Sequence, residues 1–196
     1  MTQEHKVIIC PGLDGRTKNI EWLTKNWPEK YGLQPIIVPI IWKDGEHFEP
    51  KLRLVTDLID QFAAKDDKIS LIGCSAGGSA MLNAFAERKK VISHVVNNSG
   101  FCRPGNRQGF RSFTTRTAVN PAFKESILRF AKLELTLTPA DRKKILTVRP
   151  LFDELVPPET VVIQGAFNYQ VPMIEHVLGI ATALVKFDPV IKFLKT

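Results

Sequence analysis

Cysteine is scarce in this chain of 196 residues: Cys10, Cys74 and Cys102 show neither a C-x-x-C motif nor metal-type spacing. An odd number of thiols cannot pair completely. A disulfide framework is therefore excluded, a reducing cytoplasmic setting is expected, and each thiol reads as a small buried hydrophobe. Long apolar runs are missing as well. The longest, Pro35 to Trp42 and Val177 to Val185, fall far short of the roughly 20 residues that cross a bilayer, so no transmembrane segment is expected. The polar stretch Met1 to Lys6 runs straight into Val7-Ile8-Ile9, which leaves no room for the parts of a secretory signal. A phosphate-binding G-x-x-x-x-G-K-[ST] is absent, no recognised nucleic-acid motif is present, and neither cofactor nor metal ion is implied.

What is present suits one packed domain. The chain is 44% apolar and 24% charged, which supports a core and excludes disorder, and its length matches a single domain of about 150 residues with an excursion. The net charge of +7 is local. Between Phe101 and Lys144 there are ten basic residues and three acidic ones, so the whole excess falls in these 44 residues and the remainder is neutral.

Hydrophobic patterning alternates between strands and helices. Strand candidates are Lys6 to Cys10, Gln34 to Trp42, Lys68 to Gly73, Val91 to Asn97, Ile145 to Leu151 and Thr160 to Ile163. Helices are expected over Asn19 to Tyr31, Phe48 to Ala64, Ala76 to Arg88, from Asn120 as N-cap with Pro121 first, from Thr138-Pro139 with Asp141 near its positive end, and from about Ile174 to Val185. Six strands with intervening helices imply an α/β class, a doubly wound, mostly parallel sheet covered on both faces. Residues 101–144 interrupt the alternation. They are expected to cross the top of the sheet as a basic lid, with Phe110, Phe113, Phe123 and Phe130 either lining an acyl pocket or, as aromatic stripes more often do, packing in the core.

Gly73-Cys74-Ser75-Ala76-Gly77 reads G-x-S-x-G between a strand and a helix, the context of a strained nucleophile elbow. A serine hydroxyl needs a base, and the base needs an orienting acid. In chain order the acid and then the base follow the serine. His5 and His47 precede Ser75 and His94 lies inside a strand candidate, which leaves His176. Asp153 stands on a loop after the strand ILTVRPL, where open α/β sheets place their chemistry, with Glu154 as the neighbouring alternative; Asp141 lies in the insert and Asp188 follows His176. An oxyanion hole needs two backbone N–H groups. Ala76 offers one and the loop Pro11-Gly12-Leu13-Asp14-Gly15 offers the other at Leu13.

With these residues assembled, the chain resembles the α/β-hydrolase superfamily. GCSAGG, CPGLDG, FDELVPP and QGAFNYQVPMIEHVLGI look like the elbow, glycine loop, acid turn and histidine segment of small compact bacterial esterases and lipases. The resemblance covers nearly the whole chain outside 101–144. It implies Ser75, Asp153 and His176 as nucleophile, acid and base, Leu13 and Ala76 as oxyanion donors, and a small-molecule ester or acyl substrate. Two positions depart from the pattern: Pro11 replaces the histidine usual before the loop glycine, and Cys74 stands where histidine or another residue is common.

Overall fold

The computed structural model describes residues 3–109, 112–185 and 188–196, with the side chain of Arg116 excepted. Phe110, one of the four candidate pocket phenylalanines, and Arg111 lie outside the described residues.

Six strands form one sheet, β1 (His5–Cys10), β2 (Leu33–Ile37), β3 (Lys68–Cys74), β4 (Ile92–Asn98), β5 (Ile145–Pro150) and β6 (Phe167–Val171). All pairs are parallel and the order is β2-β1-β3-β4-β5-β6. The chain steps one way from β1 to β2 and then returns past β1 to β3. The crevice at the carboxyl ends of β1 and β3 is thus the point where the strand order reverses, and ligands of open α/β sheets bind in such a crevice.

Strand alternation divides the core in two. Ile8 and Cys10 of β1 with Ile69 and Leu71 of β3 face one layer; Val7, Ile9, Ile72 and Cys74 face the other. The first layer holds α3 (Phe48–Ala63), α4 (Ala76–Arg88) and α6 (Pro121–Leu133); the second holds α1 (Thr17–Thr24), α2 (Trp27–Tyr31), α8 (His176–Val185) and α9 (Asp188–Lys195). Two short helices, α5 (Phe113–Thr117) and α7 (Pro139–Arg142), flank α6.

Several expectations are corrected. The sixth strand is Phe167–Val171 and not Thr160 to Ile163. Val161 and Ile163 are apolar because they are buried in the first layer, in irregular chain after a single 3-10 turn, where the Cys102 N–H donates to the Thr160 carbonyl at 2.7 Å. The true β6 is an edge strand, exposed along most of its length, and its polar residues hid it. Strand β2 stops at Ile37; beyond it Ile40 and Trp42 are buried without being paired. The helix expected over Asn19 to Tyr31 is two helices, because Pro28 at the start of α2 supplies no N–H to continue the first. Asn120 precedes α6 as foreseen, but its side chain makes no cap bond. At α7, in contrast, Thr138 and Asp141 form a reciprocal capping box.

Residues 101–144 form the crossover from β4 to β5. Phe123, Ile127 and Phe130 on α6 are buried in the first layer, and Phe123 meets Trp42 edge-on at 5.6 Å between ring centroids. The segment's basic side chains largely tie the chain to itself. Arg103 pairs with Glu134 and donates to the Glu159 and Val162 carbonyls at 2.7 and 2.8 Å. Arg142 donates to the Glu134 and Gln164 carbonyls, and Arg129 pairs with Glu49 and Glu87. Lys144 donates to the Lys89 and Ile92 carbonyls. A charge that looked like a surface patch is in good part internal wiring.

All three cysteines are free and buried, and burial drives their thiol pKa values upward, that of Cys74 to about 12. They are held in the inert thiol form. Among the described residues no helix is long and apolar enough to cross a membrane.

At the opposite, amino-terminal edge of the sheet, His5 Nε2 lies 2.9 Å from Ser70 Oγ and the His94 ring packs on Phe193. Burial first, then the positive charge of Lys68, lowers both imidazoles from 6.5 to about 4. Below pH 6.5 the unfolded chain binds protons that the folded chain refuses, so stability must fall as pH drops from about 6.5 towards 4. Melting temperatures measured across that window should decline, and His94→Gln should flatten the decline; a melting temperature that rises on acidification contradicts the assignment.

Candidate active site

The elbow is built by close approach of backbone to backbone. Ser75 sits at φ 52° and ψ −119°, a conformation a side chain adopts only under constraint. The constraint is glycine packing on both sides. A Cβ on Gly73 would lie 2.3 Å from the Gly77 carbonyl oxygen, and one on Gly77 would lie 2.3 Å from that of Cys10. With no side chains there, β3 can turn into α4 within one residue while α4 rests on the end of β1. The Ser75 N–H donates to the Asn98 carbonyl at 2.9 Å and the Gly78 N–H to the Ser75 carbonyl at 2.9 Å, which fixes the turn to β4.

The loop after β1 closes on the same point. The Gly15 N–H donates to the Gly12 carbonyl at 3.0 Å, and a Cβ on Gly12 would approach Ser75 Cβ to 3.1 Å. Leu13 lies in this loop and lines the same cavity as Ser75, and Ala76 follows Ser75 at the head of α4. Among the described residues neither of their N–H groups donates to a loop or turn carbonyl.

Asp153 and His176 complete a row. His176 Nε2 is 2.9 Å from Ser75 Oγ, and His176 Nδ1 is 2.8 Å from Asp153 Oδ2. The other carboxylate oxygen, Asp153 Oδ1, accepts the N–H groups of Leu155 at 2.9 Å and Val156 at 2.8 Å. Asp153 is 5% and His176 3% exposed, and His176 together with Ser75 lines a cavity. A carboxylate can only accept, so the contacts match the tautomer of His176 with the proton on Nδ1 and the Nε2 lone pair towards the serine hydroxyl.

Glu154, the alternative acid, goes elsewhere. Its Oε2 accepts the N–H of His176 at 3.0 Å, and the Glu175 carboxylate accepts those of Val177 and Leu178 at 3.0 and 2.7 Å. Two acidic side chains thus occupy the positive end of α8 and hold the backbone that carries the imidazole. Sequence reasoning missed this role of Glu154; its place beside Asp153 was the only signal. The other candidates lie apart. Asp141 caps α7 and pairs with Lys89, His47 pairs with Glu125 at the surface, and His94 is at the far edge of the sheet.

A cavity of about 550 Å³ opens over Ser75 and His176, between α1 and α8. None of the described residues of 101–144 lines it. Phe123 and Phe130 are core residues, and Phe113 packs against Phe101 at the edge of the first layer. The walls come instead from Ile20, Trp22 and Leu23 of α1 and Val177, Ile180 and Ala181 of α8. Among the described residues no group of three or more His, Cys, Asp or Glu could hold a metal ion.

No family model matches the sequence, and no curated protein does either. Solved structures do resemble the fold. A metagenome-derived lipolytic enzyme described with the pair LipS and LipT is 12% identical, with a TM-score of 0.67 over 98% of this chain and 94% of that one. MGS-M2, an α/β hydrolase from a Medee basin deep-sea metagenome library, is 13% identical, with a TM-score of 0.65 over 100% of this chain and 91% of its own. A monoacylglycerol lipase from Paleococcus ferrophilus is 12% identical, with a TM-score of 0.63 over 96% and 94%. At these identities the likeness establishes the architecture alone, and that architecture is the α/β-hydrolase fold.

Proposed function

We propose that the protein is a serine hydrolase that cleaves an ester-like acyl bond of a small or lipid-like substrate through Ser75, His176 and Asp153. The observation that carries this reading is the continuous row from Asp153 Oδ2 through both ring nitrogens of His176 to Ser75 Oγ, with contacts of 2.8 and 2.9 Å, opening on a cavity. The lipolytic and α/β-hydrolase neighbours support it at the level of fold.

His176 Nε2 takes the Ser75 proton as Oγ attacks the carbonyl carbon, and Asp153 holds the imidazolium that forms. The tetrahedral oxyanion is met by the Leu13 and Ala76 N–H groups; donors of this kind contribute roughly 3 to 4 kcal/mol each where they have been removed. Collapse expels the alkoxide, which takes the proton from His176. Water then attacks the acyl-enzyme with His176 again as base, releasing the carboxylic acid and restoring Ser75. The reaction draws on no cofactor or metal ion.

The test is turnover. A panel of p-nitrophenyl esters should release nitrophenolate well above the buffer rate on at least the short acyl members. Failure on every member contradicts the proposal.

A further inference from the structure

We infer that the trough between α1 and α8 is the acyl site, and that it takes an unbranched acyl chain of medium length. This inference rests on the hydrolase reading and specifies its substrate.

Helix α8 reads HVLGIATALV, ten residues without a single Asp, Glu, Lys or Arg. A surface helix normally turns a charged face to water, and one that is apolar all round is normally buried. Here Val177 is 62% and Leu178 57% exposed, and Ile180 and Ala181 are only half buried, on the wall of the trough. The facing wall is apolar too. Ile20, Leu23 and Trp22 come from α1, and Trp22 is 66% exposed at the rim, where the Lys25 ammonium lies over its ring at 5.6 Å. Neither wall is completed by another part of the described chain. The volume of about 550 Å³ falls within the range of small-molecule sites. A flexible apolar chain covalently tethered at Ser75 is the occupant that removes the most of this surface from water without leaving a polar group unpaired.

The acyl chain, and not the alcohol, belongs there because of the second half of the reaction. The acyl group stays on Ser75 through both steps, whereas the alcohol must leave and water must take its place beside His176 Nε2. A chain lying in the trough leaves the remaining, solvent side free for both passages. An alkyl chain of the alcohol in the trough would oblige water to enter through an apolar channel. Polar side chains also line the cavity, Asp14 and Arg16 from the loop after β1 and Asn19 from α1, so its apolar part is bounded and its length is finite.

The experiment uses two ester series on the whole protein. In p-nitrophenyl esters from acetyl to decanoyl, kcat/KM should rise about fourfold per added methylene up to a chain of medium length and then level or fall. In alkyl acetates from ethyl to octyl it should stay flat. Ala181→Phe, which fills the trough, and Trp22→Ala, which removes its rim, should each lower the octanoyl to acetyl ratio of kcat/KM by tenfold or more. A ratio unchanged in both variants, or a length dependence that follows the alcohol, overturns the inference. Binding of free octanoate, read from tryptophan fluorescence, separates this failure from failure of the hydrolase reading. The three tryptophans are Trp22, Trp27 and Trp42, and the latter two are buried. Octanoate should shift the emission of the wild type and not that of Trp22→Ala, whether or not any ester is turned over. An absent shift, or one that survives in Trp22→Ala, counts against the trough.

Discussion

Ser75→Ala should lower kcat on a short p-nitrophenyl ester by about 10⁶-fold while leaving the protein folded, because loss of the nucleophile of a serine triad removes about as much as loss of the whole triad. Alanine keeps the Cβ, so the 3.1 Å approach of Gly12 to that carbon is unchanged and the backbone at φ 52° is no more strained than before. Among the described residues the only side-chain hydrogen bond lost is that to His176 Nε2. A melting temperature close to that of the wild type is therefore expected beside the kinetic loss, and turnover within tenfold of the wild type would remove Ser75 from the chemistry. A residual rate some 10³ to 10⁴ above that in water is expected, because the Leu13 and Ala76 N–H groups and the substrate site remain.

Asp153→Asn should lower kcat by about 10⁴-fold through a change of one proton. Two N–H groups, those of Leu155 and Val156, converge on Asp153 Oδ1. In the variant only the amide oxygen can accept them, so the NH₂ group must replace Oδ2 opposite His176 Nδ1. That group donates. It forces Nδ1 into the acceptor role and moves the ring proton to Nε2, which then presents N–H to Ser75 in place of a lone pair. Because the loop bonds survive, stability should change little. Steady-state kinetics with a parallel thermal melt checks both parts. A loss of less than tenfold would mean that Asp153 does not set the tautomer.

Both effects rest on positions that were legible in the sequence for local reasons. The turn GCSAGG between an apolar strand and an alanine-rich helix marks a place where glycine is required, and the structure shows why at Gly73 and Gly77. Asp153 and His176 could be read because each stands just beyond a β-strand, where chain order leaves few rivals. The alternation of short apolar strands with amphipathic helices gave the class of the sheet, and the four inner strands are largely buried on both faces. Apart from the helix break at Pro28, which is local, the misreadings share a physical cause, which is dependence on distant residues. Strand β6 has little apolar signal of its own and is defined by pairing with β5. Residues 101–144 looked like a separate basic lid because nothing local shows that Arg103 reaches carbonyls at 159 and 162, or that Phe123 and Phe130 complete the layer around α4. The trough between α1 and α8 was likewise invisible, since its walls lie more than 150 residues apart in sequence.

The central claim is that one serine is activated. The most direct measurement is the intact mass of the protein after exposure to a fluorophosphonate, followed by mapping of the modified peptide. A single adduct on Ser75, absent from Ser75→Ala and much slower to form in His176→Ala, is the predicted result. An unmodified protein, or an adduct that persists in Ser75→Ala, would contradict it.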